Sequence, residues 1–123
     1  GDEVLRRFSR LAQNEVRSSD IFGRYGGEEF LLIFTQSSLH GAYSTLQRIR
    51  LALENLAFEN APDLRATVSI GVTVYQPGES LLELFSRADS AMYAAKQGGR
   101  NQVVADQLPS ERANGQALSR QRA

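Results

Sequence analysis

In this 123-residue chain, Arg24-Tyr25-Gly26-Gly27-Glu28-Glu29-Phe30 sets two adjacent carboxylates directly behind a glycine pair, with apolar residues on either side. Like charges held this close raise each other's proton affinity, and a divalent cation relieves that cost. Glycines let a ligand approach the main chain, and hard carboxylate oxygens suit Mg²⁺ with its bound phosphates. The same four residues also make an ordinary solvated hairpin tip. On spacing alone that plainer reading leads, because a short motif is only a hypothesis. A second group is cationic: Lys96 and Arg100 stand four apart where an apolar-striped segment ends. Arginine forks onto phosphate oxygens and lysine acts as a point charge, although two cations also complement the carboxyl end of a helix. His40 has no partner in view and reads as solvated, and Asp89, beside an apolar stripe, reads as structural.

These residues need elements to hold them. Val4, Leu5, Phe8, Leu11, Ala12 and Val16 recur at steps of three and four and predict a helix over residues 2–18, its dipole complemented by Asp2 and Glu3. Two short apolar segments, 21–25 and 30–34, flank Gly26-Gly27 and predict a β-hairpin. The second segment is apolar nearly throughout, which places it inside a sheet covered on both faces. Leu39, Ala42, Leu46, Ile49, Leu53 and Leu56 form the seam of a helix over 38–57. Alternation of Val68, Ile70, Val72 and Val74 with polar or small residues predicts a strand over 64–75. Ser80 and Glu83 have capping-box spacing and open a third helix, with Leu81, Phe85, Ala88, Met92 and Ala95 as its buried stripe and Gly98-Gly99 as its stop. A short strand follows over 101–105. Residues 106–123 are polar and unpatterned and are expected to form a disordered tail, leaving residues 1–105 as the domain. The order helix, hairpin, helix, strand, helix, strand is an α/β or α+β layer with helices on a mixed sheet.

Composition narrows the function. Fourteen Lys and Arg balance fourteen Asp and Glu, so the chain lacks the positive excess used to bind nucleic-acid polymers or membrane surfaces. Absence of cysteine excludes disulfides, thiolate catalysis and zinc-thiolate sites, and a single histidine leaves no His cluster. The densest apolar run, Phe30 to Phe34, is five residues long, against the ~20 of a membrane-spanning helix. A cytoplasmic location is expected.

The motif around the glycine pair resembles the signature of GGDEF domains, the diguanylate cyclases, in its Gly-Gly-Glu-Glu-Phe variant. Gly1-Asp2-Glu3-Val4-Leu5-Arg6 resembles the start of the family's preceding helix, and Thr67-Val68-Ser69-Ile70-Gly71-Val72 its Thr-x-Ser-x-Gly strand. Residues 88–101, from Ala88-Asp89 through Tyr93 and Lys96 to Gly99-Arg100-Asn101, resemble its last conserved block. The resemblance runs over about residues 1–104. It implies a nucleotide-cyclase-like domain, with a mixed sheet, a GG-turn hairpin and helices on both faces.

By the same resemblance, two facing domains condense two GTP molecules into cyclic di-GMP. Glu28 is implied as a Mg²⁺ (or Mn²⁺) ligand and the general base, and Glu29 as a further metal ligand. Gly26 and Gly27 leave room for the nucleotide, while Lys96 and Arg100 contact the triphosphate. Arg17 and Asp20 match the family's Arg-x-x-Asp product-inhibition site in type and in offset from Gly26, and Arg48 stands where a further inhibitory arginine is often found. An arginine can fork onto phosphate or the guanine Hoogsteen edge, although a helix-end cation and a turn-forming Asp account equally for the first pair. The implied partners are GTP, cyclic di-GMP and a second copy of the domain. No nucleic-acid polymer is implied, and a membrane only through a region upstream of Gly1.

The family's domain begins about fifty residues earlier, by typical domain size. That portion carries the first strand with its metal-binding Asp and the guanine-recognising residues. The resemblance therefore implies that residues 1–123 alone do not cyclise GTP and that strand edges flanking the missing first strand are left unpaired. The alternatives are a non-catalytic module that binds GTP or cyclic di-GMP, and a dimerisation domain with its carboxylates on the surface.

Overall fold

The computed structural model describes residues 2–17, 20–24, 29–34, 37–106 and 117–122. The first apolar stripe forms helix α1 (Asp2–Glu15), which buries Phe8 and Ala12 and packs Leu5, Leu11 and Val16 beside them. The helix stops short of residue 18 because Asp20 draws the chain into a turn. Its Oδ2 accepts from the Arg17 N–H at 2.9 Å, and its own N–H donates to the Arg17 carbonyl at 3.0 Å.

Strands β1 (Ile21–Arg24) and β2 (Glu29–Phe34) pair antiparallel, with Ile21 opposite Ile33 and Arg24 opposite Phe30. Residues 25–28, including the expected glycine turn, lie outside the described residues. Side chains of β2 alternate between two covered faces, as its apolar composition requires. Phe30, Leu32 and Phe34 are buried with α1 and with α2 (Leu39–Glu54), whereas Leu31 and Ile33 pack toward α3 (Leu81–Gln97). The Phe30 ring lies 5.0 Å from that of Phe8 and 5.5 Å from that of Phe22. The tilted Phe8–Phe30 contact anchors α1 on the hairpin, and the stacked Phe22–Phe30 pair joins the hairpin's two strands. Ser38 caps α2 by accepting from the Gly41 N–H at 3.1 Å, and Ala42, Leu46, Ile49 and Leu53 form the expected buried seam.

Strand β3 (Ser69–Val74) is shorter than the alternation over 64–75 suggests, and every residue in it is buried. Helix α3 opens with a complete capping box. The Glu83 N–H donates to Ser80 Oγ at 3.1 Å, and the Ser80 N–H donates to Glu83 Oε1 at 2.8 Å. Its buried stripe is Leu84, Ala88, Ala91, Met92 and Ala95. The expected stripe is corrected at its start, since Leu81 is 67% exposed and Phe85 only partly buried. Gly71 accounts for this. Without a Cβ it lets the main chain of Ala88–Met92 rest directly on β3, and that approach selects the small-residue face of the helix. Strand β4 (Val103–Ala105) then pairs parallel to β3.

The largest departure lies beyond residue 106. Ala117–Arg122 forms a strand, β5, so the expectation of disorder does not hold for these residues. β5 inserts between β2 and β3, antiparallel to both, and completes the order β1-β2-β5-β3-β4. The edges expected to be open are therefore paired. Ala-Leu-Ser-Arg-Gln-Arg carries no apolar period, so local pattern gives no strand signal. Its order comes from two neighbouring ladders that supply main-chain partners on both sides. Helices α1 and α2 cover one face of the sheet and α3 the other.

Candidate active site

Glu29 opens β2 and shares the parity of Leu31 and Ile33, which turns it toward α3. Along that helix Ser86, Asp89, Ser90, Tyr93 and Lys96 recur at steps of three or one on its outward side, with Met92 below them. Together with Glu29 they line a cleft of about 470 Å³. Two residues far apart in sequence, the Glu29 carboxylate and the Lys96 ammonium, are thus brought to one place. The cleft offers an oxygen donor and a cation, the pair of functions that a metal-bound polyphosphate uses. Glu28, Gly26 and Gly27 lie outside the described residues. Glu29 fits a divalent cation by donor chemistry, being a hard oxygen ligand with Asp89 lining the same cleft. Among the described residues no three His, Cys, Asp or Glu side chains gather in a metal-holding cluster.

Arg100 does not line this cleft. It follows the helix stop at Gly98 and sits exposed in a left-handed turn, with φ of 114° at Gly99, 63° at Arg100 and 48° at Asn101. The Arg100 N–H donates to the Ala95 carbonyl at 2.9 Å, closing the helix end. Asn101 pins the turn from three directions. Its main-chain N–H donates to Ser69 Oγ at 3.2 Å, its Nδ2 donates to Glu54 Oε2 at 2.7 Å, and its Oδ1 accepts from Arg50 at 3.0 Å. These bonds join the Thr-x-Ser-x-Gly strand to the Gly-Arg-Asn end of α3, a link that sequence spacing could not reveal.

Arg17, Asp20 and Arg48 come together around a second cleft of about 100 Å³, with Glu15, Phe34, Ser37 and Thr45. Arg48 Nε donates to Glu15 Oε1 at 2.9 Å, and its Nη2 donates to Thr45 Oγ1 at 3.3 Å. Two arginines and a carboxylate around one concavity can take an anionic ligand with polar edges.

A third charged centre went unread in the sequence. All five N–H donors of Arg87 are used. Nε donates to Glu79 Oε2 at 2.7 Å, and Nη2 to Glu79 Oε1 at 2.6 Å and the Val74 carbonyl at 2.7 Å. Nη1 donates to Asp106 Oδ2 at 2.7 Å and to Thr73 Oγ1. The bidentate hydrogen bonds from Arg87 hold the Glu79 carboxyl below its ordinary range, and Glu79 in turn raises the affinity of Arg87 for its proton. This network ties β3, α3 and the exit of β4 together, so it braces the cleft helix rather than the cleft itself.

Residues 1–102 match the family model described as diguanylate cyclase, GGDEF domain. The chain is 42% identical over 105 residues to diguanylate cyclase DgcM of Escherichia coli strain K12, covering 85% of this chain and 25% of that protein. It is 44% identical over 109 residues to the response regulator PleD of Caulobacter vibrioides, covering 85% and 24%. Its fold is similar to the crystal structure of the GGDEF domain of DgcB from Caulobacter crescentus in complex with c-di-GMP, with TM-score 0.80 and 34% identity over 87% of this chain and 65% of that one. The chain spans about a quarter of the length of these curated relatives. With the family match running through both the β1–β2 hairpin and α3, the chain belongs to the GGDEF domain family of diguanylate cyclases.

Proposed function

We propose that residues 1–105 form the carboxy-terminal part of the catalytic domain of a diguanylate cyclase that condenses two GTP into cyclic di-GMP. Each 3′-hydroxyl attacks the α-phosphate of the other nucleotide, and each attack expels one pyrophosphate. Two domains facing each other supply the two nucleotides. The observation that carries this reading is the cleft shared by Glu29 and Lys96 in a domain of this family.

Glu28 and Glu29 would hold Mg²⁺ or Mn²⁺. A bound divalent ion would neutralise phosphate charge, the main requirement of phosphoryl transfer. Lys96 grips phosphate oxygens, Arg100 reaches them from the turn beyond α3, and Gly26 and Gly27 admit the nucleotide. Glu28 takes the proton from the attacking hydroxyl. The cleft around Arg17, Asp20 and Arg48 binds cyclic di-GMP and restrains turnover, a reading supported by their convergence. Residues 1–123 by themselves do not complete the reaction. No helix among the described residues is long and apolar enough to cross a membrane. The domain acts in the cytoplasm, with any membrane attachment made through an upstream region.

The test compares the full-length protein with its Glu28→Ala and Lys96→Ala variants, measuring cyclic di-GMP formation from GTP by chromatography and product binding by calorimetry. The wild type should turn over GTP. Glu28→Ala should abolish turnover and keep product binding, and Lys96→Ala should lower turnover about 100-fold, the scale of losing one transition-state charge contact. Product binding without turnover in the wild type would make the domain a binding module instead.

A further inference from the structure

Arg100 joins a fixed main chain to a free head group. Its N–H donates to the Ala95 carbonyl at 2.9 Å, and its own carbonyl accepts from Gln102 Nε2 at 3.3 Å. Its side chain is exposed, and the guanidinium has no hydrogen-bond or ion-pair partner among the described residues. The backbone at this arginine is left-handed, with φ of 63°, a conformation that an L-residue with a long side chain adopts only at a cost. Gly99, with φ of 114°, already supplies the left-handed residue that ends a helix, so the stop does not require strain at Arg100. Strain of this kind persists where neighbours over-determine it. Here the neighbours sit on a different helix. Arg50 and Glu54 of α2 pair at 3.5 Å, with the Arg50 side chain only 15% exposed, and they take opposite ends of the Asn101 carboxamide. Its oxygen meets the cation and its NH₂ meets the carboxylate, the one orientation in which both bonds form. Arg50 Nη1 also reaches the Asn101 carbonyl at 3.4 Å, and Arg50 Nε is itself held by Gln47 Oε1 at 2.7 Å.

We propose that Arg50, Glu54 and Asn101 are positioning residues for nucleoside triphosphate binding: they hold the turn after α3 in the backbone conformation that presents the Arg100 guanidinium to the phosphates. The inference rests on the phosphate contact proposed above for Arg100. None of the three lines the cleft shared by Glu29 and Lys96, so they act through Arg100 rather than on the nucleotide. A turn ordered before the nucleotide arrives removes that ordering cost from binding. The guanidinium stays without a protein partner and is therefore available to an anion, while its main chain is bonded on both sides.

The experiment uses the full-length protein and calorimetry with a GTP analogue, in Mg²⁺, whose α and β phosphorus atoms are joined by a methylene that cannot be cleaved. Arg100→Ala should weaken binding at least tenfold, the scale of a lost hydrogen bond between charged groups. Asn101→Gly keeps a residue suited to left-handed backbone and the main-chain bond to Ser69 but removes both side-chain bonds; it should weaken binding about fivefold, as should Glu54→Ala. Glu54→Gln keeps an oxygen acceptor for Asn101 and should restore affinity to within about twofold of wild type. Neither loss should add to that of Arg100→Ala in the double variants, because the residues act through that guanidinium. Ser80→Ala loosens the other end of α3 and should leave affinity within about twofold, which separates positioning from general destabilisation. If Glu54→Ala does not fold, Asn101→Gly carries the comparison. Equal affinity of Asn101→Gly and wild type, a full further loss on top of Arg100→Ala, or no binding of the analogue by wild type overturns the proposal. A wild type that binds the analogue through Arg100 yet forms no cyclic di-GMP would refute the cyclase reading and leave the positioning role standing on the affinity series.

Discussion

Replacing Gly71 with alanine tests how α3 is seated. An added Cβ would lie 2.2 Å from the Met92 nitrogen, 2.5 Å from the Ala88 oxygen and 2.7 Å from the Ala91 carbonyl carbon. All three are main-chain atoms, which cannot swing aside as a side chain can. Ordinary contact begins at 3.4 Å, so at the closest point the helix must retreat by 3.4 minus 2.2, or about 1.2 Å. A gap of that size forfeits at least half the dispersion attraction of the atoms lining it. Ala88, Ala91, Met92 and Ala95 all lose contact with β3 together. Overpacking of this kind costs typically 1–3 kcal/mol, and a rigid helix main chain puts the expectation at the upper end, about 3 kcal/mol. For a domain of this size that lowers Tm by roughly 10 °C. Gly23→Ala is the control, because a Cβ there meets nothing within 4 Å and should change stability by no more than about 0.5 kcal/mol. Urea unfolding followed by circular dichroism reads both variants. Equal midpoints for Gly71→Ala and wild type would refute the seating of α3 on the strand backbone.

Arg87→Met should destabilise the domain by about 3 kcal/mol, since it strands the Glu79 and Asp106 carboxylates in partly buried positions. Because Arg87 depresses the Glu79 pKa below 4.5, the stabilisation is full above pH 4.5 and is lost as pH falls through the lower folded value. Unfolding midpoints measured below pH 5 should therefore fall steeply in wild type and less steeply in Arg87→Met; equal slopes would refute the linkage. Arg48→Ala should change stability by less than about 1 kcal/mol, because its pair with Glu15 is largely exposed. Calorimetry on the full-length protein should nevertheless show cyclic di-GMP binding at least tenfold weaker. Ser80→Ala breaks the capping box and should cost about 1 kcal/mol in thermal unfolding.

Local signals were legible wherever one segment carried both halves of an interaction. Ser80 and Glu83 announce the start of α3 because the bonds they make stay within one turn. The seam of α2 is visible because one face of one helix provides it. Leu81 misleads because periodicity shows that a stripe exists but not where it is centred; the absent Cβ of Gly71, ten residues away, decides that. β5 is invisible for a similar reason, its order being supplied by strands β2 and β3. In the candidate site, Glu29 and Lys96 were nameable singly, and folding showed that they share a cleft. Arg87 escaped notice because Thr73, Val74, Glu79 and Asp106 meet around it only in three dimensions.

The turn after α3 places two successive L-residues, Arg100 and Asn101, in left-handed backbone. Asparagine tolerates that region, but arginine carries a strain of roughly 1 kcal/mol that glycine would not. Arg100→Gly should therefore melt at a higher temperature while losing the guanidinium proposed to reach the nucleotide. At this single position, selection for heat resistance and selection for phosphate affinity would drive the sequence in opposite directions.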